Sequence, residues 1–204
     1  MKDYLTVHLL DLANEIGEDN VLRMLGDFSC EINPEVDDFL HNNAMDFAKK
    51  RLASTYLVFA RKENELVLVG YFSLTHKYFQ ANETELRAVS NTLKKRIDKF
   101  MPYDSEIGCR MFSAPLIGQL GKNFNNGYDS SISGAELLNI ACATVDNALK
   151  IIGGKIVCLE CENKGKLVEF YKANGFNSFS RRLLERSEKD KMSGDYLLQM
   201  LKYL

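Results

Sequence analysis

Hydrophobic spacing divides the chain into helical and extended segments. From residue 8 to 25, Leu9, Leu10, Leu12, Ala13, Ile16, Val21, Leu22 and Leu25 recur at helical intervals. This predicts a helix, broken near Gly17 and ended by Gly26. Asn33-Pro34 restarts a helix, since an Asn side chain accepts a first-turn N–H and Pro needs none at the first helical position. Val36, Phe39, Leu40, Ala44 and Phe47 give that helix one apolar face. Two runs rich in β-branched and aromatic residues follow, 55–60 and 66–74. Lys62-Glu-Asn64 between them predicts an antiparallel hairpin.

Helical spacing returns over 81–100, where Leu86, Val89, Leu93, Ile97 and Phe100 share a face. Pro102 and Gly108 mark a loop, and residues 114–122 read as a strand that Asn125-Asn-Gly127 breaks. Ser133-x-x-Glu136 is a capping box that opens a long helix, and Gly153-Gly154 ends it. A strand over 155–161, a helix over 164–174 stopped by Gly175, and strands over 176–183 and 195–204 complete the chain, with a charged loop at 185–191. No repeat or linker interrupts this order. The pattern therefore predicts one α/β domain over 1–204, a mixed, mostly antiparallel sheet flanked by helices, with a helical insertion at about 81–107.

Composition narrows the setting. Of 204 residues, 46% are hydrophobic, enough for a sizeable core. The net charge of −2 gives no overall basic field for a polyanion. The five cysteines, 30, 109, 142, 158 and 161, are odd in number and scattered, which predicts reduced thiols in the cytoplasm. Cys158-x-x-Cys161 has redox or zinc spacing, but no second pair or clustered His completes a metal site. The first ten residues do not read as a signal peptide, and no segment has the length of a membrane span.

Chemistry enters where strand 114–122 leads to the helix at Ser133. Gly127, Ser130, Ser131, Ser133 and Gly134 offer small side chains, hydroxyls and exposed amides at a helix N-terminus, which favours anions. A capped helix with no ligand explains the same residues. The order strand, loop, long helix, strand, then a helix with Phe170-Tyr171 and a Gly175-Phe176 stop, resembles the GCN5-related N-acetyltransferases over about residues 114 to 182. Phe170-Tyr-Lys-Ala-Asn-Gly-Phe176 is the most specific part of the likeness.

The resemblance implies an acyl-CoA N-acyltransferase fold and acetyl-CoA as cosubstrate, placed at the splay between strands 114–122 and 155–161. It implies cofactor contacts at Leu120, Gly121, Lys122, Ser130, Ser131, Ser133, Gly134, Ala135, Asn163 and Phe170. Asn163 would also cap the following helix. Tyr171 becomes the acid that protonates the departing thiolate; otherwise it reads as a core tyrosine. Glu160, with Glu162 and His76 behind it, is the candidate base, and water relayed to bulk is a sufficient alternative.

The family's pyrophosphate loop usually reads Arg or Gln, two residues, Gly, one residue, then Gly or Ala. The matching positions are Asp129, Ile132 and Gly134, so only the last glycine remains. Upstream, Phe28-Ser-Cys30, Val36, Phe39-Leu40, Ala44 and Ser54-Thr-Tyr56 resemble the toxin–antitoxin branch, some members of which acetylate aminoacyl-tRNA. The acceptor implied is the primary amine of a small molecule, a peptide or an aminoacyl-tRNA, with no membrane involved. A non-catalytic CoA-binding or interaction module remains the other reading. Segment 81–100 could form a substrate wall, a homodimer contact or a basic face for RNA, while a cluster such as Lys94-Lys95-Arg96 is more often just the solvated side of an amphipathic helix.

Overall fold

The computed structural model describes residues 4–84, 86, 89–186, 188–190, 192 and 194–204. They group into two compact units, the first from residues 1–75 and 117–143, the second from residues 76–116 and 144–204. Strands β3 (Glu65–Ala81) and β5 (Cys109–Lys122) and helix α6 (Gly134–Ile152) contribute residues to both.

In the first unit, strand β1 (Tyr4–His8) runs directly into helix α1 (Leu9–Ile16), and Gly17, at φ +87°, separates α1 from α2 (Glu18–Leu25). Helix α3 (Pro34–Asp38) starts where Pro34 stands at its first turn and Asn33 Oδ1 faces the Val36 amide. A π turn at Phe39–Asn43 then leads to α4 (Ala44–Lys49). Strand β2 (Ser54–Lys62) pairs antiparallel with β1 and with β3. Glu63, at φ +56°, makes the turn that Lys62-Glu-Asn64 predicts. The helices bury Leu9, Val21, Leu25, Phe28, Val36 and Leu40 with Leu57, Phe59 and Tyr71 of the strands. Strand β1 escapes the sequence pattern because it is five residues long with no turn before α1.

In the second unit, the helix expected over 81–100 is much shorter. Strand β3 extends to Ala81 and α5 covers only Asn91–Ile97, with Ser90 as its N-cap. Leu86, Val89 and Ile97 are buried, so they mimic a helical stripe while serving one core from different local structures. Glu85, Arg87 and Ala88 of that expected helix, and Ser187 and Lys191 of the expected 185–191 loop, lie outside the described residues. The two-residue strand β4 (Tyr103–Asp104) pairs with β5. Strand β6 (Ile156–Glu162) leads to α7 (Gly165–Ala173), followed by β7 (Asn177–Leu183) and β8 (Tyr196–Tyr203). Strand β8 is antiparallel to both β6 and β7. Phe79, Phe112, Phe179, Ile156, Cys158 and Leu201 anchor this core, with Phe79 stacked on Phe112 at 5.2 Å.

Strands β3 and β5 are antiparallel, for Ser73 faces Gly118 while Phe79 faces Phe112. The sheet order is β1-β2-β3-β5-β6-β8-β7, with β4 beside β5, which makes an eight-stranded, mostly antiparallel sheet flanked by helices. Charge divides unevenly along the chain. The first unit's residues carry 8 basic and 15 acidic side chains, net −7, and the second unit's carry 18 and 13, net +5. Among the described residues, no helix is long and apolar enough to cross a membrane.

Candidate active site

The first unit holds the strand-to-helix loop. Asn123, fully buried, fixes where β5 ends. Its Oδ1 accepts from the amides of Ser29 and Asn125, both at 3.0 Å, and its Nδ2 donates to the carbonyls of Asp27 at 3.1 Å and Leu68 at 2.9 Å. Sequence reasoning missed this residue, since all its partners but Asn125 lie 55 to 96 positions away. The irregular turn Asn125–Ser130 follows, with Asn126 and Gly127 at φ +53° and +69°. Glycine meets that left-handed backbone without strain, and Asn tolerates it.

The polar groups of the loop largely satisfy one another. Lys122 Nζ donates to the Asp129 carbonyl at 2.7 Å, and Ser130 Oγ donates to the Gly127 carbonyl at 2.8 Å. The Ser131 amide bonds the Tyr128 carbonyl at 2.9 Å. Ile132, at 1% exposed, turns into the core. At the N-terminus of α6 the capping box closes: the Ser133 amide donates to Glu136 Oε2 at 2.8 Å, and the Glu136 amide donates to Ser133 Oγ at 3.1 Å. Tyr4 Oη lies 3.1 Å from Glu136 Oε1 and 3.0 Å from the Ser131 carbonyl, so its one proton serves both. Burial, and secondarily Glu136, pushes the Tyr4 phenol up to about 12. The amides of Gly134 and Ala135 have no hydrogen bond among the described residues.

Other residues expected at the cofactor are placed by packing. A Cβ on Gly121 would stand 2.3 Å from Val36 Cγ1 and 3.3 Å from Tyr71 Cε1, so that glycine admits α3 against the strand. Leu120 and Ala135 are half-buried. The first unit also has a cavity of about 440 Å³, bordered by Ser29, Cys30, Asp37, Asp38 and His41 among others. None of the residues expected at the site lines it.

The second unit holds β6 and α7. Strand β6 ends at Glu162, and Lys164, in extended conformation, precedes α7 without a side-chain cap. The expectation that Asn163 caps this helix is therefore corrected. Asn163 Nδ2 instead donates to Tyr196 Oη at 2.9 Å, drawn to a partner on β8. Gly175, at φ +87°, stops the helix, and the Phe176 amide folds back onto the Tyr171 carbonyl at 3.0 Å. Tyr171 is half-buried, its ring centroid 5.1 Å from that of Phe170 and 6.0 Å from that of Phe176. Burial, with the neighbouring Cys161 adding to it, pushes its phenol well above the ordinary value. Among the described residues nothing hydrogen-bonds its hydroxyl.

Glu160 is the hub of an ion network. Its oxygens accept from Lys77 Nζ at 2.9 Å, Arg182 Nε at 3.0 Å and Gln199 Nε2 at 2.8 Å, and Arg182 also holds Glu188 at 2.7 Å. Burial alone would raise the Glu160 carboxyl. The Gln199 amide, Lys77 and Arg182 together outweigh it and hold the carboxyl below its usual range. A base held low by three donors has little drive to take a proton. His76 Nδ1 lies 2.9 Å from Ser113 Oγ on the exposed surface. Glu162 bonds Lys164 at 2.7 Å. Burial raises both Cys158 and Cys161, the latter to about 11, so both thiols stay protonated near neutrality and neither is a ready nucleophile. Among the described residues, no group of three or more His, Cys, Asp or Glu side chains could hold a metal ion.

No family model and no curated protein matches the chain. Solved structures do. AtaT complexed with acetyl-methionyl-tRNAfMet matches at a TM-score of 0.57 and 18% identity, over 96% of this chain and 94% of that one. A tyrosine-to-phenylalanine variant of KacT matches at 0.60 and 17%, over 98% and 94%. AtaTR bound with AcCoA matches at 0.55 and 19%, over 97% and 93%. At these identities the likeness establishes the fold, and it extends nearly end to end. The chain has the fold of the GCN5-related N-acetyltransferases, in the form that AtaT and KacT take.

Proposed function

We propose that the chain acts as one acetyltransferase domain, using acetyl-CoA to acetylate the amino group of an aminoacyl-tRNA. The observation that carries this reading is Tyr171, a protonated phenol with no hydrogen-bond partner among the described residues, in a unit of net charge +5. An unengaged donor is available to a ligand, and an excess of Lys and Arg suits a polyanionic acceptor. The whole-chain charge of −2 hides that excess. Likeness to AtaT, whose structure is complexed with acetyl-methionyl-tRNAfMet, supports the same acceptor class.

The loop fits the cosubstrate in part. The Gly134 and Ala135 amides and the positive end of α6 would take the pyrophosphate, with Ser130, Ser131, Ser133 and Lys122 around them. Leu120, Gly121, Asn163 and Phe170 would line its path. Acetyl-CoA supplies the acetyl group as a thioester. Tyr171 keeps its proton at Oη through neutral pH, because burial disfavours the phenolate, and donates a hydrogen bond to the sulfur as the thioester C–S bond breaks. Glu160 braces three strands through Lys77, Arg182 and Gln199, and water takes the proton of the attacking amine.

The engagement of the loop by Glu136 favours a second reading, a non-catalytic module on the same fold. One experiment separates the two. The purified protein is given acetyl-labelled acetyl-CoA with charged tRNA, free amines or peptides. Label entering charged tRNA supports the proposal. Label in no acceptor overturns the enzyme, and label only in free amines or peptides overturns the tRNA acceptor.

A further inference from the structure

We propose that Glu136 is a built-in competitor for the pyrophosphate position and sets how tightly the loop takes CoA. This rests on the acetyl-CoA reading above. The Glu136 carboxylate accepts from the Ser133 amide at 2.8 Å, one residue before the Gly134 and Ala135 amides that the pyrophosphate would use. Its other oxygen is held at 3.1 Å by Tyr4, which reaches from β1 and also faces the Ser131 carbonyl. The hold therefore reaches from the start of α6 to a strand 132 residues away in sequence.

Charge makes the hold consequential. The partial positive charge at the N-terminus of α6 is worth about half an elementary charge, and one carboxylate more than offsets it. A diphosphate arriving there brings at least two further negative charges. It must displace the Glu136 carboxylate from Ser133 or sit beside it at the Gly134 and Ala135 amides, against like-charge repulsion in either case. Asp129 adds a further carboxylate to the same turn, and of the cations beside it Lys122 already serves the Asp129 carbonyl while Lys62 stands over the Tyr128 ring.

Glu136→Gln separates charge from capping, because an amide oxygen can still accept from Ser133 while the negative charge is gone. Calorimetric titration of CoA into the full chain reads the effect. Glu136→Gln is expected to bind CoA about tenfold more tightly than the wild type. Tyr4→Phe, which removes the Tyr4 hydroxyl from Glu136 and leaves the charge, is expected to tighten binding less. Thermal melting run alongside shows that each variant is folded. Equal dissociation constants for wild type and Glu136→Gln, or weaker binding by the variant, would overturn the competitor role and leave the acetyl-CoA reading standing. No binding by either protein at millimolar CoA would overturn both.

Discussion

The loop of the first unit and the β6–α7 segment of the second answer the same question in opposite ways. Both were expected to offer polar groups to one cosubstrate. In the loop, Lys122, Ser130, Ser131 and Ser133 bond the loop itself, and Glu136 covers the Ser133 amide. On α7, Tyr171 points a hydroxyl at no described partner, while Glu160 nearby in sequence is fully engaged. The difference teaches that polarity and position do not by themselves make a functional group. What matters is whether the group's hydrogen bonds are already made.

The sharpest way to break this contrast is at Tyr171. Tyr171→Phe removes only the unengaged hydroxyl, so turnover should fall by about 10³-fold while CoA affinity and melting temperature change little. Steady-state kinetics with a CoA titration checks this, and unchanged turnover would return Tyr171 to the core.

Glu160 should behave in the reverse manner. Glu160→Ala leaves Lys77 without its carboxylate and Arg182 with Glu188 alone, and should cost about 3 kcal/mol in denaturant unfolding. The pH dependence has a definite sign. The folded carboxyl is held below its unfolded value, so its stabilisation is full above the unfolded value of about 4.3 and is lost as pH falls through the folded one. The gap between wild type and Glu160→Gln should therefore shrink below about pH 4. A constant gap down to pH 2 would argue against the network.

Gly121 sharpens the same contrast from the first unit. Gly121→Ala drives a methyl into Val36 and should destabilise by about 2 kcal/mol, whether or not CoA is present. A loss of CoA affinity with unchanged stability would instead mean that Gly121 acts at the cofactor alone and not through the packing of α3.

Much of the fold was legible because local chemistry and tertiary structure agree. The Ser133–Glu136 capping box, the Gly175 stop and the apolar runs of β2 and β6 each need only neighbours within a few residues. Where the reading failed, distant partners decided. Asn163 left its expected cap for Tyr196, 33 residues on. Leu86 and Val89 looked helical because a core demanded them. Strand β3 continued through half-exposed Thr75 and Lys77, whose polar side chains hide a strand from a hydrophobic pattern. The site was legible only as a set of positions. The engagement of Glu136 by Tyr4 and of Glu160 by Lys77 and Gln199 arises from the folded chain.

The proposed chemistry meets its most direct test in the transfer of labelled acetyl from acetyl-CoA to charged tRNA by the full chain, measured across a salt series. The account predicts label on the aminoacyl amino group, with a yield that falls steeply as salt rises, because the acceptor is a polyanion. Charged tRNA that stays unlabelled at low salt, while the protein is folded and binds CoA, would contradict it.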